Sequence, residues 1–146
     1  MRAYRLEQPD SAVTPDTLAA RGVLSWSVPA DDASRAELIE RVKRDHGYVA
    51  EDFVELEAEM PNLDEICAKF DKEHFHTEDE VRYVVAGAGV FDVRDGDDEW
   101  IRIEVTPGDM IVIPARMYHR FYLTDEKQIR CMRLFANNDG WAPLYR

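Results

Sequence analysis

The stretch EHFHTEDEVRYV, residues 73 to 84, places His74, His76, Glu80 and Arg82 at positions of one parity. In an extended strand successive side chains alternate faces, so this spacing predicts two imidazoles, a carboxylate and a guanidinium on one surface. A further donor, His119, lies in VIPARMYHRFYL, residues 112 to 123, where His119, Phe121 and Leu123 share a face of a second strand-like run. Three imidazoles and one carboxylate in a dry pocket suit a divalent first-row transition metal; magnesium or calcium would demand more oxygens. A closed structural zinc site usually carries thiolates, and neither Cys67 nor Cys131 is placed to serve. Four protein ligands on an octahedral ion leave neighbouring positions open, which is an arrangement for catalysis. The alternative is an exposed His-x-His patch beside the acidic triplet Glu78, Asp79, Glu80. Against it, three of the chain's 4 histidines fall in these two short segments. Buried without a metal, each polar group would cost about 1 to 3 kcal/mol unless hydrogen-bonded.

Working outward, the texture after residue 73 is β. Short alternating runs (RYVVAG, VFDVR, EWIRIEV, MIVIPA, YHRFYL, IRCMRLF) are divided by turn signals at Gly87, Asp95-Gly96, Pro107-Gly108 and Asp125-Glu126-Lys127. That pattern predicts a small barrel or double-sheet jelly roll, with a hairpin at Asp95-Gly96. Before residue 73 the pattern is mixed. Residues 1 to 13 read as an extended lead-in, and a short helix follows with Thr14 as cap and Pro15 at its first position. Residues 23 to 28 alternate as a strand. Residues 32 to 46 carry Leu38, Ile39 and Val42 at helical spacing, with His46 in the last turn and Gly47 as the stop. AEDFVELEAEM, residues 50 to 60, is ambiguous, and Pro61 opens a third helix, PNLDEICAKFDKE, with Leu63, Ile66 and Phe70 at helical spacing. No linker divides these parts. The expectation is one domain over residues 1–146, with a helical and extended part (1–72), a β-barrel (73–136) and a tail (137–146).

The chain has 146 residues, with 18 basic against 30 acidic side chains and a net charge of -12. Such a surface repels nucleic acid and anionic lipid. No secretory signal and no membrane span is visible, which points to a cytoplasmic protein, or a nuclear one as well if the source is eukaryotic. The cysteines read as buried free thiols. No strongly apolar exposed helix calls for a large interface, and a monomer is expected.

With these residues in view, the chain resembles the cupins. His74, His76, Glu80 and Gly87 match that superfamily's first motif, and Gly108, Pro114 and His119 the second. The match narrows to the acireductone dioxygenases of methionine salvage, through EHFHTEDEVRYV, GVFDVRD, WIRI, PGDMIVIPA, YHRF and MRLF in order and spacing. The resemblance runs from about residue 20 to the C-terminus. It implies a mainly β cupin double-stranded helix with a few N-terminal helices packed against it. The implied ligands of one Fe2+ or Ni2+ per chain are His74, His76, Glu80 and His119. The implied substrates are O2 and acireductone, 1,2-dihydroxy-5-(methylthio)pent-1-en-3-one. With iron the family yields 4-methylthio-2-oxobutanoate and formate; with nickel it yields methylthiopropanoate, formate and carbon monoxide.

Arg82 matches the family arginine that helps hold the substrate anion, although from the residues alone it could equally pair with Glu80. Phe70, Phe121 and Trp141 match aromatic positions around the methylthio tail, with Trp141 in the loop after the last strand. Glu73 and Glu104 are candidate partners for the histidines. The sequence departs from the family wording at Arg116, where PxGxxH has glycine, and in AGAG (residues 86–89) and the tail ANNDGW. Two other readings stay open: another cupin oxygenase or isomerase, and a metal-binding interaction protein without turnover.

Overall fold

The computed structural model describes residues 1–137 and 141–146. Two antiparallel sheets face each other. The seven-stranded one runs β12-β5-β10-β7-β8-β1-β2, and the five-stranded one β3-β9-β6-β11-β4. In chain order the strands are β1 (Arg2–Arg5), β2 (Gln8–Ala12), β3 (Leu24–Ser27), β4 (Ala50–Leu56), β5 (His74–Phe75) and β6 (Glu80–Gly87). They continue as β7 (Gly89–Arg94), β8 (Trp100–Val105), β9 (Asp109–Ile113), β10 (His119–Leu123), β11 (Ile129–Phe135) and β12 (Leu144–Tyr145). This is the double-sheet jelly roll predicted from the alternating runs.

The strand β9 shows how the layers stack. Its run DMIVI is buried at every position because it is covered on both faces. Ile111 and Ile113 point between the sheets to Phe91, Ile101, Ile103 and Phe121. Met110 and Val112 point outward to Leu38, Ile39 and Val42 of α2 (Asp32–His46). The helix begins with Asp31 accepting from Ser34 N–H and ends, as its sequence predicts, with Gly47 in the left-handed region. The first helix, α1 (Pro15–Ala20), is capped by Thr14, also as predicted. The third, α3 (Leu63–Ala68), is shorter than its periodicity suggests, and Phe70 lies just beyond it.

Other expectations change. The extended lead-in of residues 1–13 is itself part of the larger sheet: β1 pairs with β8 and β2 with β1. The ambiguous stretch 50–60 supplies β4, paired along its length with β11. The hairpin at Asp95-Gly96 exists between β7 and β8. Its left-handed residue is Asp98 rather than the glycine, and the Asp95 carboxylate shapes the loop by accepting from the N–H groups of Asp97 and Glu99. No helix among the described residues is long and apolar enough to cross a membrane.

Candidate metal centre

The stretch that decided the fold is not one strand. His74 belongs to β5 in the seven-stranded sheet and Glu80 begins β6 in the five-stranded sheet. Residues 76–79 carry the chain from one sheet to the other. Shared parity therefore cannot be why the four side chains meet. They meet because the two sheets face each other and the crossing loop bends His76 back into the gap. Only Glu80 and Arg82 share a strand face, as does Val84 below them, while Val81 and Tyr83 turn outward toward α2.

His119 arrives from β10, directly opposite His74 in the antiparallel pair with β5. The imidazole nitrogens of His74, His76 and His119 approach within 4.8 Å of one another, and all three side chains are buried. Each ring is held by a backbone carbonyl. His74 Nδ1 donates to Lys72 O at 2.6 Å, His76 Nδ1 to Ala142 O at 3.1 Å, and His119 Nδ1 to Met117 O at 2.9 Å. A carbonyl can only accept, so each Nδ1 carries a hydrogen and each Nε2 is the nitrogen turned to the centre. Glu73 and Glu104, expected as partners for the rings, are engaged elsewhere. Glu73 binds Arg94 and Arg146, and Glu104 binds Arg2 and Tyr4. Carbonyls already lying against the rings fill the role without an added buried charge.

Glu80 faces the same point. Its Oε2 lies 2.6 Å from His119 Nε2 and 3.4 Å from His76 Nε2. Despite that proximity, Glu80 Oε2 and His119 Nε2 are buried without a hydrogen-bond partner among the described residues. A neutral ring there would set lone pair against lone pair, an arrangement that a shared cation satisfies. Burial opposes the charged form of Glu80. The adjacent Arg82 guanidinium is the leading influence against burial, and the carboxyl is held well below the usual range. Burial lowers the His74 pKa to about 4, keeping that ring neutral and able to donate its lone pair. Three imidazole nitrogens and one carboxylate oxygen, close together and buried, fit a divalent transition ion.

The surrounding shell is aromatic. Arg82, 5% exposed, donates from Nε to Glu80 Oε1 at 2.9 Å, and its guanidinium lies 5.7 Å from the Phe121 ring centroid and 5.5 Å from that of Trp141. Phe70 sits 6.4 Å from the His74 ring and Trp141 6.2 Å from the His76 ring. Phe121 N–H donates to Phe70 O, which fixes these two aromatic positions to each other. Trp141 does follow β11, but it is not beyond the last strand: β12 comes after it and pairs with β5. The variant tail wording ANNDGW includes residues 138–140, which lie outside the described residues.

Sequence reasoning passed over Asp79, counted only within an acidic triplet. Its Oδ1 accepts from Ala115 N–H and its Oδ2 from Tyr48 OH, both at 2.9 Å. No local signal separates it from a solvated acid.

A double-sheet β fold with three imidazoles and a carboxylate converging between its sheets defines a cupin-type metalloprotein. The finer assignment comes from comparison with known proteins. The chain belongs to the ARD/ARD' family, whose pattern matches residues 2–143. It is 45% identical over 139 residues to acireductone dioxygenase 2 of Vitis vinifera, covering 94% of this chain and 70% of that protein. It is 38% identical over 144 residues to the acireductone dioxygenase of Ixodes scapularis, covering 98% and 79%. Among solved structures it is similar to the acireductone dioxygenase of Bacillus anthracis with a cadmium ion in its active centre. There the TM-score is 0.87 and the identity 31%, over 99% of this chain and 97% of that one.

Proposed function

We propose that this chain cleaves acireductone with O2, using one divalent metal held by the Nε2 atoms of His74, His76 and His119 and by Glu80. The observation that carries the reading is the convergence of those nitrogens within 4.8 Å, beside a carboxylate oxygen with no hydrogen-bond partner. The activity is that of the chain's named relatives. When bound, Fe2+ or Ni2+ supplies a Lewis acid and a template that brings an electron-rich enediolate and oxygen together.

The protein's own residues have separate tasks. The carbonyls of Lys72, Ala142 and Met117 hold the rings in the tautomer that presents Nε2. Arg82 keeps Glu80 ionised and offers the rest of its guanidinium to a substrate oxyanion, where a buried donor is worth most. Phe70, Phe121 and Trp141 exclude water and accept the methylthio tail. The acireductone belongs to methionine salvage, a pathway of the cytoplasm, and we assign the chain there as a monomer.

Product analysis tests this reading. Protein loaded with iron should convert acireductone to 4-methylthio-2-oxobutanoate and formate; protein loaded with nickel should give carbon monoxide instead of the oxo acid. Neither product set from metal-saturated protein would overturn the assignment.

A further inference from the structure

The loop between β9 and β10 touches the ligand set through three successive residues. Ala115 N–H donates to Asp79 Oδ1 at 2.9 Å, and Arg116 N–H donates to His76 O at 2.8 Å. Met117 O accepts from His119 Nδ1 at 2.9 Å. The loop is shaped for this. Met117 N–H closes a turn onto Pro114 O, and Arg116, the third residue of that turn, has φ 67°. The crossing loop 76–79 is thus sewn to the loop before His119 by one main-chain bond and one carboxylate bond.

The carboxylate does more than join two loops. Asp79 Oδ2 accepts from the hydroxyl of Tyr48, which is 4% exposed. Tyr48 follows α2 directly, with its N–H donating to Lys43 O at 2.9 Å and its ring stacked on His46 at 5.9 Å between centroids. The helix is itself packed on the outer face of the five-stranded sheet that carries Glu80. His76 and Glu80, the ligands flanking Asp79, are therefore indexed both to the loop that presents His119 and to the end of α2.

We propose that Asp79 is a positioning residue of the metal centre, and that through Tyr48 it makes the end of α2 part of the device that sets ligand geometry. The inference rests on the metal reading above, not on the identity of the substrate. Four ligands drawn from two sheets and a crossing loop have no common element to hold their spacing. Asp79 supplies the link, because a carboxylate offers separate oxygens to the two donors that flank it. Burial, then the hydrogen bond to Asp79, pushes the Tyr48 phenol up, so it remains the donor throughout the ordinary pH range.

The test is metal binding by the full chain, read without substrate. Metal-free wild type, Asp79→Ala, Asp79→Asn and Tyr48→Phe are titrated with cobalt(II) by calorimetry, and the visible spectrum of each complex is recorded. Asp79→Ala should bind cobalt about 10- to 100-fold more weakly, in line with other residues that orient metal ligands, and with an altered spectrum. Asp79→Asn keeps an acceptor for Ala115 and can donate to the Tyr48 oxygen, so it should recover much of the loss. A lower melting temperature in Asp79→Ala, with wild-type cobalt affinity and spectrum, would overturn the proposal and leave Asp79 a structural bond. If Asp79→Ala does not fold, Tyr48→Phe decides: weakened binding supports the link to α2, and wild-type binding contradicts it. A wild-type chain that binds no cobalt would instead sink the metal reading beneath it.

Discussion

His119 and His74 stand directly opposite each other where β10 pairs with β5, their ring centroids 4.5 Å apart. The register of one strand pair thus aims two of the imidazoles at the same point. A slip of one residue would send His119 to the outer face and leave the cluster with two rings. Arg82 and Glu80 make the complementary pair on the opposite sheet. The centre is built across the interior, and each sheet contributes groups that the other must satisfy.

Glu80 separates packing from ligation. Glu80→Ala leaves the Arg82 guanidinium buried and unpaired, and breaking such a pair costs about 3 to 5 kcal/mol. Glu80→Gln keeps a carbonyl acceptor for Arg82 and should destabilise less. Both should lower metal affinity. Chemical denaturation and metal titration on the same two variants check the split; equal stabilities would refute it.

Acidification should destabilise the metal-free protein in two stages. The folded His74 pKa is about 4, below its unfolded value of 6.5, so the unfolded state binds the extra proton between those limits. Stability is therefore fully present above pH 6.5 and falls as pH drops toward 4, by at most about 1.4 kcal/mol per unit for this one group. Glu80 acts in the same direction at lower pH. Its folded pKa lies well below 4.5, so its contribution is present above that value and is lost as pH falls through the folded one. Denaturation of the metal-free chain from pH 7.5 to 4, compared with His74→Gln, measures the first stage. A slope unchanged in the variant would count against it.

Arg116 holds φ 67° in the turn after Pro114, where a side chain meets the following carbonyl. Arg116→Gly relieves that contact but loses more backbone entropy on folding, leaving a net gain of about 0.5 to 1 kcal/mol. Its N–H bond to His76 O survives the change. Thermal unfolding should show a higher midpoint with unchanged metal affinity, and a lower midpoint would disprove the account of this turn.

Gly89 is packed against Phe121, one of the aromatics proposed to accept the methylthio tail. A Cβ there would lie 2.6 Å from Phe121 Cε2 and 3.0 Å from Ile129 Cδ1. Gly89→Ala should cost about 1 to 3 kcal/mol through overpacking. It should also raise KM for acireductone by displacing the Phe121 ring, with metal content unchanged. An unaltered KM would place the methylthio tail elsewhere.

Much of this was legible in the sequence. The ligand set stood out because imidazoles are few in the chain and gather in two short segments. The helix caps at Thr14 and Gly47 sit where local chemistry requires them. What could not be read was geometry made by the main chain. The carbonyls of Lys72, Met117 and Ala142 hold the rings, and any residue has a carbonyl. The crossing at 76–79 was hidden because even spacing within one strand and a jump between sheets leave the same letters. In β4, the glutamates of AEDFVEL favour a helix locally, and pairing with β11 overrides them. QPDSA carries little strand signal, and β2 forms because β1 offers it an edge.

The most direct test of the whole account is oxygen consumption. Iron(II)-loaded protein is mixed with freshly generated acireductone in an oxygen-electrode cell, beside His119→Ala treated identically. The wild type should take up oxygen rapidly, one O2 per acireductone, and the variant none above background. Metal-saturated wild type that consumes no oxygen, or a His119→Ala variant that consumes it as fast, would contradict a metal-dependent dioxygenase centred on His119.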